Sequence, residues 1–183
     1  IKEHMPEAFD FDIPSVCAIA PGVLGVTGVE TMDIVFGVAN KVKPDLIIAV
    51  DALASRRAAR ISTTIQLSDS GISPGSGVGN TRADLSRANL GVPVIAVGVP
   101  LVVYASTISQ DTISLIADET GLHGDEERLR ELAEQVIAKH MGDFIVTPKD
   151  IDVIVEDMAG IIANAINSAL FGNNLEQVRN MLA

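Results

Sequence analysis

The sequence contains no tryptophan, one tyrosine and five phenylalanines, so aromatic residues make up only 3% of its 183 residues. A core assembled without aromatic bulk must be filled by Val, Ile, Leu and Ala, which suits a parallel sheet covered by helices. There is one cysteine, Cys17. A lone thiol cannot close an internal disulfide, which excludes a disulfide-stapled scaffold and fits a reducing cytoplasm. The apolar run Val16-Cys17-Ala18-Ile19-Ala20 reads as the setting of a buried structural thiol. Basic residues are scarce, 13 against 24 acidic ones, for a formal net charge of -11. A polyanion such as DNA is therefore excluded as a direct partner, because phosphate binding needs a basic face. No apolar run approaches the roughly 20 residues that cross a membrane, and no signal peptide is visible, so no membrane partner is expected. His4, His123 and His140 lie far apart, with no Glu-x-x-His or Cys-x-x-Cys company. No metal site or cofactor is expected from such spacing.

Hydrophobic residues make up 48% of the chain and the mean hydropathy is +0.35. That suffices for a two-sided core and excludes disorder. The length predicts a single α/β domain over residues 1–183. The first residue is Ile1 rather than Met, so this domain is expected to be the C-terminal part of a longer protein.

Short apolar runs lie at open-sheet spacing. Ser15–Ala20, Asp45–Val50 and Val92–Val99 read as strands, the last opened by Gly91 and closed by Pro100, and Ser62–Leu67 as an edge or antiparallel strand. Thr27 and Glu30 form a capping box for a helix whose apolar positions are Ile34, Val35, Val38, Ala39 and Val42, stopped by Pro44. Strand, helix and strand within that span predict a right-handed βαβ unit. Pro100–Ile113 reads as helical, with a polar break at Ser106–Asp111, and Glu126–His140 as a solvated helix. Thr147 at N-cap, Pro148 at N1 and Asp150 at N3 predict a last long helix, with an apolar stripe from Ile151 to Ala169 and a stop at Gly172. Residues 121–125 read as a flexible connection.

The stretch from Asp51 to Val99 carries the chemistry. Asp51 follows an apolar strand, and in open α/β sheets reacting groups gather beyond the carboxyl ends of strands. A carboxylate there is partly desolvated, which raises its pKa and poises it for acid–base work. A residue of this type in this place also caps a helix starting at Ala52, and the two readings stand side by side. Arg56, Arg57 and Arg60 form a basic cluster in an acidic chain. They can pair with Asp51 or Asp69, or grip a substrate, but on a helix the three cannot all face one pocket, so at least two are expected to be solvated. Four glycines occupy the run Gly71-Ile72-Ser73-Pro74-Gly75-Ser76-Gly77-Val78-Gly79, followed by Asn80. Such a loop brings its backbone close to a peptide or an anion, or simply leads into a helix over Thr81–Asn89. It is not Gly-x-Gly-x-x-Gly, and no Gly-Lys-Ser/Thr follows, so nucleotide loops are disfavoured. Ser55 and Ser76 lack the nucleophile-elbow context, and no Ser-His-Asp triad can be assigned.

Several long motifs resemble the germination (spore) protease family. Residues Ala20-Pro21-Gly22-Val23-Leu24-Gly25-Val26-Thr27-Gly28-Val29-Glu30-Thr31 are similar to its Ala-Pro-Gly-Val-Met-Gly-x-Thr-Gly-x-Glu-Thr segment. Lys43–Ile48 leading into Asp51-Ala52-Leu53-Ala54-Ser55-Arg56, Thr63–Gln66, Pro74–Asn80, Leu90–Pro100 and Val146–Lys149 also resemble it. The likeness covers most of the chain and is thinnest from Ala117 to Phe144.

The resemblance implies a three-layer αβα fold with a mostly parallel twisted sheet, similar to the hydrogenase maturation proteases. It implies an atypical aspartic-type endopeptidase, made as a zymogen and hydrolysing small acid-soluble spore proteins in the spore core during germination. It further implies a homotetramer with no cofactor. Asp51 is then one of two catalytic carboxylates, and Arg56, Asp69, Gly75, Ser76, Gly77, Gly79 and Asn80 are the substrate-binding candidates. The second carboxylate belongs to a Thr-Pro-Asp segment upstream of the Ala-Pro-Gly motif, which Asp10 and Asp12 do not match. Two other readings stand beside this one: a metal-dependent maturation peptidase, needing a carboxylate and a His beside Asp51, and a non-catalytic oligomerisation fragment.

Overall fold

A computed structural model describes residues 14–75, 83–121, 125–140 and 144–182. The described residues between 21 and 151 form one compact unit, and residues 14–20 with 152–182 another.

The larger unit is α/β, with a mixed sheet. Its strands are β1 (Ile47–Ser55), β2 (Gln66–Ser68), β3 (Val94–Tyr104) and β4 (Ile145–Val146). The order is β1-β3-β2, with β4 also paired to β3. Among the described residues parallel pairing is confined to β1 with β3, from Ile47 opposite Val94 to Ser55 opposite Val103. β2 and β4 both run antiparallel to β3, so the described sheet is mixed, with its longest pairing parallel.

Two strands are longer than their apolar runs. β3 does not stop at Pro100 but carries it, fully buried, and continues to Tyr104. The register explains how. Leu53 faces Pro100 but Ala54 faces Val102, so Leu101 is an extra residue on β3 beside the proline. A bulge is where a sheet tolerates a residue that cannot donate to the ladder. Ser15–Ala20, expected as a strand, forms no regular secondary structure, and Cys17, expected to be buried, is exposed.

The helices of this unit start with α1 (Leu24–Thr27) and α2 (Thr31–Val42). They correct the expected capping box. Thr27 ends the short α1, and Gly28 closes it in the left-handed conformation at φ 69°, its N–H bonded to Leu24 O. The Thr27 hydroxyl turns back to Val23 O at 3.2 Å and to Val29 O at 3.1 Å. Glu30, not Thr27, is the N-cap of α2. Helix α2 ends before Pro44 as expected, with Lys43 as its C-cap in the left-handed region, its N–H on Ala39 O at 2.7 Å.

After the four-residue α3 (Arg87–Leu90), the chain runs through β3 directly into α4 (Ala105–Thr120), one unbroken helix where a polar break was expected. Helix α5 (Glu126–His140) has the bounds that its sequence pattern predicts. It is tied to α4 by Arg130, which reaches both Ser114 Oγ and its own-helix Glu126, and by Gln110 donating to Glu134 at 3.3 Å. The described core centres on Leu85, Leu90 and Val94, against which Met32, Val35, Ile47, Ala49 and Ile72 pack.

The smaller unit holds α6 (Ile151–Phe171), a 3-10 turn at Gly172–Asn174 and α7 (Leu175–Leu182). Arg179 on α7 donates to Asn164 on α6 at 2.9 Å and Ile162 is buried. Thr147 does not cap this helix; its hydroxyl donates to Leu101 O at 3.1 Å. By length and composition α6 could cross a bilayer, which the broken apolar pattern of the sequence hid, although core helices of soluble proteins meet the same test.

Candidate active site

Asp51 lies in the middle of β1, paired with Gly98 of β3, rather than beyond a strand end. Ala52 continues the strand, so the helix-cap alternative is excluded; its N–H instead donates to Asp51 Oδ1 at 2.9 Å. Side chains alternate along a strand, which puts Asp51 on the face of Ile47 and Ala49. Those two pack into the apolar cluster under α2. The carboxylate thus stands at the end of an apolar surface, half-buried. Burial pushes its pKa above the ordinary aspartate value of 3.8, and hydrogen bonds from the Ala52 and Gly75 backbones only partly offset this. The desolvated carboxyl expected from the sequence is present, although through a different backbone setting.

The carboxylate opens on a cleft of about 400 Å³ lined by Asp51, Leu53, Arg56, Arg60, Gln66, Ser73 and Gly75, among others. Strands β1 and β2 both line it, on either side of β3. Asp51, Gly98 and Gln66 stand in one cross-strand row, since Gly98 is paired with Asp51 on one side and Gln66 on the other. Gly98 is required there by close approach: a Cβ on it would lie 2.2 Å from Leu53 Cδ1 and 2.8 Å from Leu53 Cγ.

The glycine loop reaches this cleft through Ser73 and Gly75. Its base is pinned by the pair Leu85 N–H to Ile72 O at 2.7 Å and Ile72 N–H to Leu85 O at 3.2 Å. Gly71 makes this closure possible. It sits at φ +96°, and a Cβ would lie 2.4 Å from Leu85 O. Ser76, Gly77, Gly79 and Asn80 lie outside the described residues. Asp69 is exposed just past β2 and is not among the residues lining the cleft.

Two arginines face the cleft, Arg56 and Arg60, where the sequence argument allowed one. That argument assumed a helix. The segment is instead a bend after β1 followed by a 3-10 turn at Ala58–Arg60. Ser55 is buried and shapes the bend: its hydroxyl donates to Arg57 O at 2.6 Å and accepts the Arg57 N–H at 3.3 Å. This gives Ser55 a structural role. Gln66 and Ser73 were not singled out in the sequence. The β-branched alternation that marked the edge strand was the available signal for Gln66. Among the described residues no three His, Cys, Asp or Glu side chains are grouped to hold a metal ion.

A family model for germination protease matches residues 2–127 and 119–181. The germination protease of Clostridium acetobutylicum is 46% identical, across 93% of this chain and 56% of the relative. That of Clostridium tetani is 44% identical, across 93% and 57%. That of Caldanaerobacter subterraneus subsp. tengcongensis is 46% identical, across 100% and 60%. The chain therefore spans a little over half the length of these curated relatives. With matches that run through the Asp51 strand, the glycine loop and both arginines, the chain belongs to the germination protease family.

Proposed function

We propose that this chain carries the Asp51 half of the active site of an endopeptidase acting on small acid-soluble spore proteins in the spore core. The observation that carries the reading is the position of Asp51: a half-buried carboxyl with a raised pKa, opening on a cleft that a glycine-rich loop borders. Peptide hydrolysis by carboxyl groups needs one ionised group to activate water and one protonated group to polarise the scissile carbonyl. Asp51 fills one of these two roles. The second carboxylate comes from outside these 183 residues, which makes the site aspartic-type and leaves the chain alone weakly active or inactive. Arg56, with Arg60 beside it, and the Gly75 backbone then hold the substrate chain across the cleft. Ser76, Gly77, Gly79 and Asn80, outside the described residues, and Asp69 contribute further substrate contacts.

The αβα arrangement similar to hydrogenase maturation proteases and the homotetramer belong to the same reading. The exposed Val153, Val155 and Ile161 on α6 supply apolar surface for subunit contacts. Cleavage of a purified small acid-soluble spore protein, by this chain and by the longer protein that contains it, tests the assignment. The longer protein should cleave and the 183-residue chain should not. Equal rates would show that Asp51 needs no second carboxylate from elsewhere.

A further inference from the structure

The arginines of the cleft sit on a segment tied locally by the Ser55 hydroxyl at Arg57 and by Thr63, whose N–H donates to Arg60 O at 3.3 Å and whose hydroxyl donates to Ala59 O at 3.1 Å. The 3-10 turn at Ala58–Arg60 is closed by Arg60 N–H to Arg57 O and Ile61 N–H to Ala58 O, both at 3.1 Å. The hydrogen-bond geometry of a 3-10 turn is poorer than that of an α-helix. Two further bonds tie this one to other elements. At its far end Ser62, in the left-handed conformation at φ 58°, donates its N–H to Pro100 O at 2.7 Å. At its start the Ala58 N–H donates to Asp111 Oδ2 at 2.7 Å. Asp111 is half-buried on α4, 53 residues away in sequence. A carboxylate accepting the first N–H of a turn is among the stronger protein hydrogen bonds.

We infer that Asp111 is a positioning residue: it clamps the Ala58–Arg60 turn to α4 and thereby holds Arg56 and Arg60 in the cleft beside Asp51. The clamp itself follows from the geometry; only its consequence for turnover rests on the peptidase reading. The test has a structural arm on this chain and a kinetic arm on the longer protein. Hydrogen exchange on the 183-residue chain should show the Ala58 amide exchanging about ten- to a hundredfold faster in Asp111→Ala, with β1 and β3 amides unchanged. Asp111→Asn keeps an acceptor oxygen and should restore most of the protection. In the kinetic arm Asp111→Ala should raise KM for a small acid-soluble spore protein about tenfold and change kcat less than about threefold, with no further rise in an Arg56→Ala/Arg60→Ala background. Unchanged exchange at Ala58, or an increase shared by the whole sheet, would overturn the clamp. An Asp111→Ala effect on KM that persists without the arginines would overturn its role in placing them. Absence of cleavage by the unsubstituted longer protein would count against the peptidase reading, and the exchange result would still decide the clamp.

Discussion

Replacing Gly98 by alanine puts a methyl carbon 2.2 Å from Leu53 Cδ1 and 2.8 Å from Leu53 Cγ. Carbon atoms in contact sit about 3.5–4.0 Å apart, so the side chain must yield by about 1.5 Å. Leu53 lines the cleft beside Asp51, and its outer atoms can move only at the expense of that space or of its rotamer. Overpacking of this kind costs about 1–3 kcal/mol. Gly98 is not at positive φ, so no backbone strain accompanies the change. That permits a clean control. In a Leu53→Ala background the methyl has room, and Gly98→Ala should become neutral or stabilising by up to about 1 kcal/mol, because alanine restricts the unfolded chain. Urea unfolding of the four proteins in this cycle measures the coupling. The same loss from Gly98→Ala in both backgrounds would refute the packing argument for this glycine.

Gly71→Ala should be worse than Gly98→Ala, at about 2–4 kcal/mol, because φ is +96° and the atom met at 2.4 Å is the backbone oxygen of Leu85, which cannot swing away; thermal unfolding checks the order of the two. Ser55→Ala should cost about 1 kcal/mol, since it strips the Arg57 N–H of its acceptor and leaves Arg57 O with the Arg60 N–H alone, in a partly buried bend, and denaturant unfolding reads the loss. Asp51→Asn should change the pH dependence of stability in a defined direction. With a folded pKa above the unfolded value, the native state binds the proton more tightly, so the Asp51 contribution to wild-type stability declines as pH rises from 3.8 through the raised value and is level above it. The variant lacks that decline, so its stability relative to wild type should improve across the same window; a difference that stays constant with pH would show that Asp51 is not desolvated.

What was legible in the sequence was whatever local pattern controls. Helix α5 has no competing signal, and its charges and Leu129, Leu132 and Val136 set its bounds from Glu126 to His140. Asp51 and Gly75 were brought out by the residues around them, an apolar run and a glycine cluster, and they do share a cleft. The errors came where tertiary contacts override local preference. Pro100 reads as a strand stop, yet the bulge at Leu101 accommodates it. Thr27 and Glu30 read as a capping box, but Gly28 at positive φ breaks the helix between them. Ser55, Arg56, Arg57 and Arg60 look helical by spacing. The bond from Ala58 to Asp111, far along the chain, is part of what makes the segment a bend and a tight turn. No local signal announces such a bond. Gln66 was missed for the same reason: its relation to Asp51 passes through Gly98, on a third strand.

The central claim concerns one carboxyl group, and kinetics of Asp51→Asn in the longer protein test it most directly. The amide has nearly the shape of the acid but cannot exchange a proton in turnover. Cleavage of a small acid-soluble spore protein should fall by about 10²- to 10⁴-fold in kcat, with the urea midpoint at neutral pH equal to or above that of the wild type. Cleavage within about twofold of wild type, by a folded Asp51→Asn protein, would contradict the assignment of Asp51 as a catalytic group.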